Sequence, residues 1–303
     1  MRTLRLVCVL LLLSGGAGGA GLAQNAPGAH PDEYAPEAVL GFARSLVSKR
    51  EFYRAYVEIQ RLDAFHPGFI PPEKSHITSL YLMYRGANLD GVLARTLTGT
   101  GKPARCADAL FKSDVYLARF DYASAAGILV PEMCEGTGSL RAMRQKRLFL
   151  ASVLDPAGAA PRWKDLDLSG IDTSEWEELA RYAQGARDKE RSPRVAMALG
   201  LFPGLGYSHA GNTATGIMAG VVIGVLAGLT YFAFRTENRP LGILFGIGAT
   251  VFYGGSIVGG YREALRNNAA LRGQTLERLV EDLKLDRDRE AIFADYGIGH
   301  GKN

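Results

Sequence analysis

Two uncharged stretches constrain this chain more than any other feature. They are 213–234 (TATGIMAGVVIGVLAGLTYFAF) and 241–261 (LGILFGIGATVFYGGSIVGGY). Each is about as long as a helix needs to be to cross a bilayer. The link between them, Arg235-Thr236-Glu237-Asn238-Arg239-Pro240, is short enough to force an antiparallel pair. Tyr231, Phe232 and Tyr261 sit near the ends, where aromatic rings favour the membrane interface. The pattern predicts a two-helix transmembrane hairpin around which everything else must be arranged.

The glycines of the two stretches are ordered. Gly216, Gly220, Gly224 and Gly228 recur every four residues, and Gly242, Gly246, Thr250 and Gly254 repeat the spacing in the second stretch. Such stripes let helix backbones touch. Either the stripes face each other within the hairpin, the simpler expectation, or one of them drives homo-oligomerisation. No charged residue lies inside either stretch, which argues against a proton relay or a coupled ion pathway.

The N-terminus reads as a signal peptide, residues 1–23. Arg2 and Arg5 precede the apolar run 6–13, and Gly21-Leu22-Ala23 supplies small residues at a cleavage site. Cys8 lies inside the apolar run and is a poor lipidation site. Residues 24–33 read as a flexible lead. Of the 35 basic residues in the chain, removing Arg2 and Arg5 leaves 33, against 31 acidic. A net charge of +2 with no basic block gives no basis for nucleic-acid binding.

Residues 34–190 carry apolar side chains at three- and four-residue spacing, with Gly or Pro at intervals, so the fold class is all-α. Phe42, Ala43, Leu46, Phe52, Ala55, Ile59, Leu62 and Pro67 have the spacing of a tetratricopeptide-like helix pair. Ala43 and Ala55 would let the helices approach, Phe52 would wedge between them, and Pro67 would end the second. A weaker copy follows at Leu110, Phe111, Tyr116, Tyr122, Ala125 and Leu129. Over roughly 35–155 the chain resembles tetratricopeptide-repeat proteins; a non-repeating helical array is the alternative. The resemblance implies a surface that binds a protein partner, with Tyr53, Tyr56, Tyr81, Tyr84 and Arg85 as candidate lining or as core.

Cys106 and Cys134 fall near adjacent ends of two predicted helices. A disulfide there would close a loop of about 29 residues and contribute ~3–4 kcal/mol in the chain-entropy model; two separate buried thiols are the alternative. No His or further Cys stands at metal-ligand spacing. Residues 155–173 read as a connection, and Ser174 with Glu177 as a capping box for the helix that follows.

Between the helical region and the hairpin lie the short apolar segment 195–202, then Pro203-Gly204-Leu205-Gly206, Tyr207 and Gly211. The glycines suit a tight re-entrant turn at the interface. This motif, with Phe252-Tyr253-Gly254-Gly255, Gly260-Tyr261-Arg262-Glu263-Ala264 and Asn267-Asn268, resembles a group of uncharacterised exported bacterial proteins. Those proteins combine helical repeats with a two-helix membrane domain. The resemblance covers about 192–270 and departs at Tyr207 and His209, where many relatives have Gln. It implies an architecture and no activity. The tail, 262–303, reads as one or two amphipathic helices with a frayed end from Gly297.

No catalytic constellation stands out. Asp114, Asp121 and Glu132, or Ser113 and Ser139, lack partners at diagnostic spacing, and no cofactor or metal motif is present. The expectation is a membrane-anchored interaction or scaffold protein in the bacterial inner membrane, with its repeat domain in the periplasm and membrane lipid and a protein as partners. An oligomeric channel or assembly factor built on the hairpin is the alternative. Flanking charges oppose that orientation, because Lys189, Arg191, Arg194, Arg262, Arg266 and Arg272 would lie outside and only Arg235 and Arg239 inside.

Overall fold

A computed structural model describes residues 34–95, 101–134, 138–158, 160 and 162–298. Residues 1–33, read above as a signal peptide and flexible lead, and residues 299–303 lie outside them. Among the described residues there are fourteen α-helices, one 3-10 turn and no strand.

The first nine helices build an array: α1 (Pro36–Ser48), α2 (Phe52–Phe65), α3 (Pro72–Arg85), α4 (Leu89–Ala94), α5 (Lys102–Ala118), α6 (Tyr122–Gly127), α7 (Pro131–Cys134), α8 (Ser139–Leu154) and α9 (Trp176–Arg187). Pro opens α1, α3 and α5 at the position where a missing N–H costs nothing. Ala43 and Ala55 are fully buried on the facing sides of α1 and α2. Phe52 is half-buried against the same core. It starts α2 and meets the edge of Tyr81 on α3, with ring centroids 6.2 Å apart. Pro67 lies just past the end of α2, where Gly68 turns the chain at φ 86°. In the weaker copy the second helix, α6, has six residues against 14 in α2. The capping box does not form: α9 begins at Trp176 with no side-chain cap, and the Ser174 N–H donates to Asp172 instead.

One turn recurs. Arg50, Ala87, Phe120 and Glu237 all adopt left-handed backbone two residues past a helix end. In each case the next N–H reaches back five residues, from Glu51 to Leu46, Asn88 to Met83, Asp121 to Tyr116 and Asn238 to Ala233. These are Schellman closures of orphan carbonyls. Asn88 and Asp121 then cap the following helix through their side chains.

Two short helices, α10 (Pro193–Leu199) and α11 (Leu205–His209), lead into the long ones, α12 (Thr213–Arg235) and α13 (Arg239–Asp282). Both long helices are long and apolar enough to cross a membrane. They touch in antiparallel order: Gly242 lies against Phe234, Gly246 against Thr230 and Gly248 against Leu226. Helix α13 has 44 residues, about 66 Å at 1.5 Å per residue. Its last turns and α14 (Leu285–Tyr296) belong to the array. Leu279, Leu283, Leu285, Ile292 and Ile298 are buried in the same core as Leu80, Phe111 and Phe149. The apolar face of the tail is therefore core, and Gly297 and Ile298, expected to be frayed, are held in place. The Ile298 N–H donates to Thr78 Oγ1 at 3.0 Å, and its carbonyl accepts from Arg44 Nε at 3.2 Å.

Candidate functional site

The first site is the junction where the array meets the apolar helices. Here α10 descends along α13, the chain turns at 200–204, and α11 climbs back. Positions across the junction are nearly all glycine because backbones touch. A Cβ on Gly200 would lie 2.8 Å from the Ile257 Cα, one on Gly206 2.5 Å from the Ala196 carbonyl oxygen, and one on Gly260 2.9 Å from the Gly206 carbonyl carbon. Gly204 (φ 86°) and Gly211 (φ 99°) also need left-handed backbone. Ala196, Ala210 and Ala264 form a separate small-residue core beside them.

Side chains of α13 satisfy the backbone of this re-entering segment. Tyr253 Oη donates to the Leu201 carbonyl at 2.9 Å, and the Gly204 N–H donates to Ser256 Oγ at 3.3 Å. Asn267 Nδ2 donates to the Ala210 carbonyl at 2.8 Å. Asn268 bonds both the N–H (2.9 Å) and the carbonyl (2.8 Å) of Arg191. Arg272 grips Glu190 through two hydrogen bonds of 2.7 and 2.6 Å. Buried or lipid-facing backbone groups need such partners. The outward side is apolar: Val195, Met197, Leu201, Phe202 and Leu205 are all exposed.

The glycine stripes divide differently from the simpler expectation. Gly216 and Gly220 on α12 face the 203–208 segment, not α13. Gly242 and Gly246 on α13 face bulky Phe234 and Thr230, while Gly224, Gly228 and Gly254 have nothing within 4 Å. Stripe does not meet stripe, because the 203–208 segment with α11 covers the first half of the α12 stripe. Pro203 lies at the tip, its carbonyl over Gly220.

The second site is the face lined by α3, α5 and α8, which holds Tyr81, Tyr84 and Arg85, candidates for partner lining or for core. Helix α14 of the same chain fills it. Phe293 stacks on Tyr81 with centroids 4.3 Å apart. Arg289 lies over the Tyr84 ring at 4.7 Å and donates to Asp114 Oδ2 at 2.9 Å. Arg147 holds the same carboxylate through two bonds of 2.8 Å. Lys146 bonds Asp288 at 3.1 Å, and Arg85 lies 3.7 Å from Asp286.

Asp114 is wholly buried, which alone would raise its pKa; the guanidinium groups of Arg147 and Arg289 outweigh that and hold it below the usual carboxylate range. Burial raises the pKa of Asp288, with Lys146 and Arg147 only partly offsetting it. Burial likewise raises the Tyr84 hydroxyl. Asp114 is thus committed to an ion network, Ser113 Oγ to the Ala125 carbonyl (2.9 Å), and Asp121 to capping α6.

Tyr53 and Tyr56 are not drawn into that groove; they lie on α2, with Tyr53 exposed. Tyr34, Phe42 and Phe65 are exposed on the outer α1–α2 face, where a groove is lined by Tyr34, Val39, Arg61, Leu62, Phe65 and His66. Phe65 is 75% exposed. The Sγ atoms of Cys106 and Cys134 are 1.98 Å apart, a disulfide between the first turns of α5 and the end of α7. Sequence reasoning missed the partners of Asn268, Arg272, Arg147 and Arg289, which lie 33 to 175 residues away in the chain. A comparison with protein-family models, curated proteins and solved structures finds no match for this chain.

Proposed function

We propose that this chain is a membrane-anchored interaction or scaffold protein. In this reading α12 and the first half of α13 form a transmembrane hairpin, α10 and α11 dip part-way into the same bilayer, and a tetratricopeptide-like array stands on the exported side of a bacterial inner membrane. The observation that carries it is α13, one helix whose beginning is apolar and exposed and whose end is buried in the array core. Val251 is 66% exposed and Met218 63%. An apolar surface of that extent is not left to water in a monomer. Because α14 covers Tyr81 and Tyr84, the partner surface in this reading is the outer α1–α2 face.

Reporter fusions test the topology. Fusions after residue 190 and at the C-terminus should report the exported side, and one at Thr236–Asn238 the cytoplasm. The reverse pattern overturns the orientation. Crosslinking in gently solubilised membranes tests the partner: the full chain should yield a specific protein adduct that F42S/F65S loses. A wild-type adduct unchanged in the double variant removes that face from consideration.

A second reading, an oligomeric membrane assembly or channel, is favoured by the uncovered Gly224, Gly228 and Gly254. A defined oligomer that G224L/G228L converts to monomer would support it.

A further inference from the structure

The charges that oppose the exported orientation form a band around the junction. Arg191 is tied by its backbone to Asn268, and Ala196, two residues after Arg194, packs on Ala264. Arg262, Arg266 and Asn268 therefore mark an axial slice of α13 about 9 Å high that also holds Arg191 and Arg194. The acidic residues of this slice are already engaged, Glu190 by Arg272 and Glu263 by Arg266 and Asn212. Lys189, Arg191, Arg194 and Arg262 are exposed and form no ion pair among the described residues. Apolar surface begins immediately below: Val195 follows Arg194, and Met197, Leu201 and Phe202 continue it toward the tip of the turn. Between array and α13 the band opens into a groove lined by Phe120, Arg191, Pro193, Leu265 and Arg272.

We infer that this band binds the headgroups of anionic phospholipids in the leaflet on the array side. The inference rests on the membrane reading above. Free cationic side chains at the upper edge of an apolar belt lie at headgroup depth, and each adds about 1 kcal/mol near an anionic surface, roughly a fivefold change. Guanidinium groups pair with phosphate oxygens in a fork geometry. The unusual charge distribution then reflects lipid binding after insertion and not the side on which the domain stays.

The test uses the full chain in nanodiscs of equal phosphatidylglycerol and phosphatidylcholine, released for native mass spectrometry. Retained adducts should be enriched at least about fivefold in phosphatidylglycerol. R191Q/R194Q/R262Q should bring the ratio near one, while R235Q/R239Q at the far end should leave it unchanged. All five arginines are exposed, so the variants should fold, and circular dichroism checks this. Adducts that mirror the lipid mixture, or enrichment that survives the triple variant or falls equally in the double, overturn the proposal while the membrane reading stands. A chain that stays soluble without detergent and never enters the disc overturns both.

Discussion

At the scale of single residues, the buried carboxylate of Asp114 decides most. It accepts bonds from helices 33 and 175 residues away, so it joins α5, α8 and α14. Removing one partner of a buried pair leaves charge uncompensated. R147M should therefore cost about 3–5 kcal/mol, read from urea midpoints of the solubilised protein. The pH dependence has two components of opposite sign. The folded pKa of Asp114 is depressed, so its contribution is full above the unfolded value of about 3.9 and is lost as pH falls below it. The folded pKa of Asp288 is raised, so its contribution declines as pH rises from about 3.9 through that folded value. D288N should remove the second component and keep the acid loss. An unchanged profile in D288N would refute this assignment. None of this was legible in the sequence. Asp114 looks like any helical aspartate, and its partners have no short-range signature.

At the scale of elements, local chemistry was readable wherever the code is local. The end of α2 at Pro67 and the two long apolar helices follow from residues within a few positions of each other. Left-handed Ala87 carries a strain glycine would not, so A87G should stabilise the array by up to about 1 kcal/mol, seen as a higher urea midpoint. The glycines were legible as a pattern but not as contacts. Spacing of four places them on one face and does not say which element that face meets. G260L should abolish the folded protein, because the added Cβ alone would strike the Gly206 backbone. G228L should leave the monomer fold intact. Equal tolerance of both in thermal unfolding would contradict the junction described here.

For the whole molecule, the division into repeat domain, hairpin and tail was legible only as a sequence of segments. The array is discontinuous, built from 34–190 and from the end of α13 with α14. Amphipathic periodicity at Leu276, Leu279 and Leu283 announced an apolar face but could not name its partner, since any apolar surface satisfies the pattern. A fragment ending at residue 190 should thus expose core and aggregate, whereas the full chain unfolds in one cooperative step. A monomeric, cooperatively unfolding fragment by sedimentation and circular dichroism would show that α14 is dispensable.

Helix α13 has a mechanical consequence. Within its 44 residues no loop interrupts the path from the 236–238 turn to the seat of α14, and a helix transmits axial load through its own backbone. It is a strut. A bilayer that thinned and tilted its lower half would act as a force on a lever, and the far arm ends beside Phe293 and Arg289. If the chain spans a membrane as proposed, a partner docked on the array would be held by a platform whose angle follows membrane thickness.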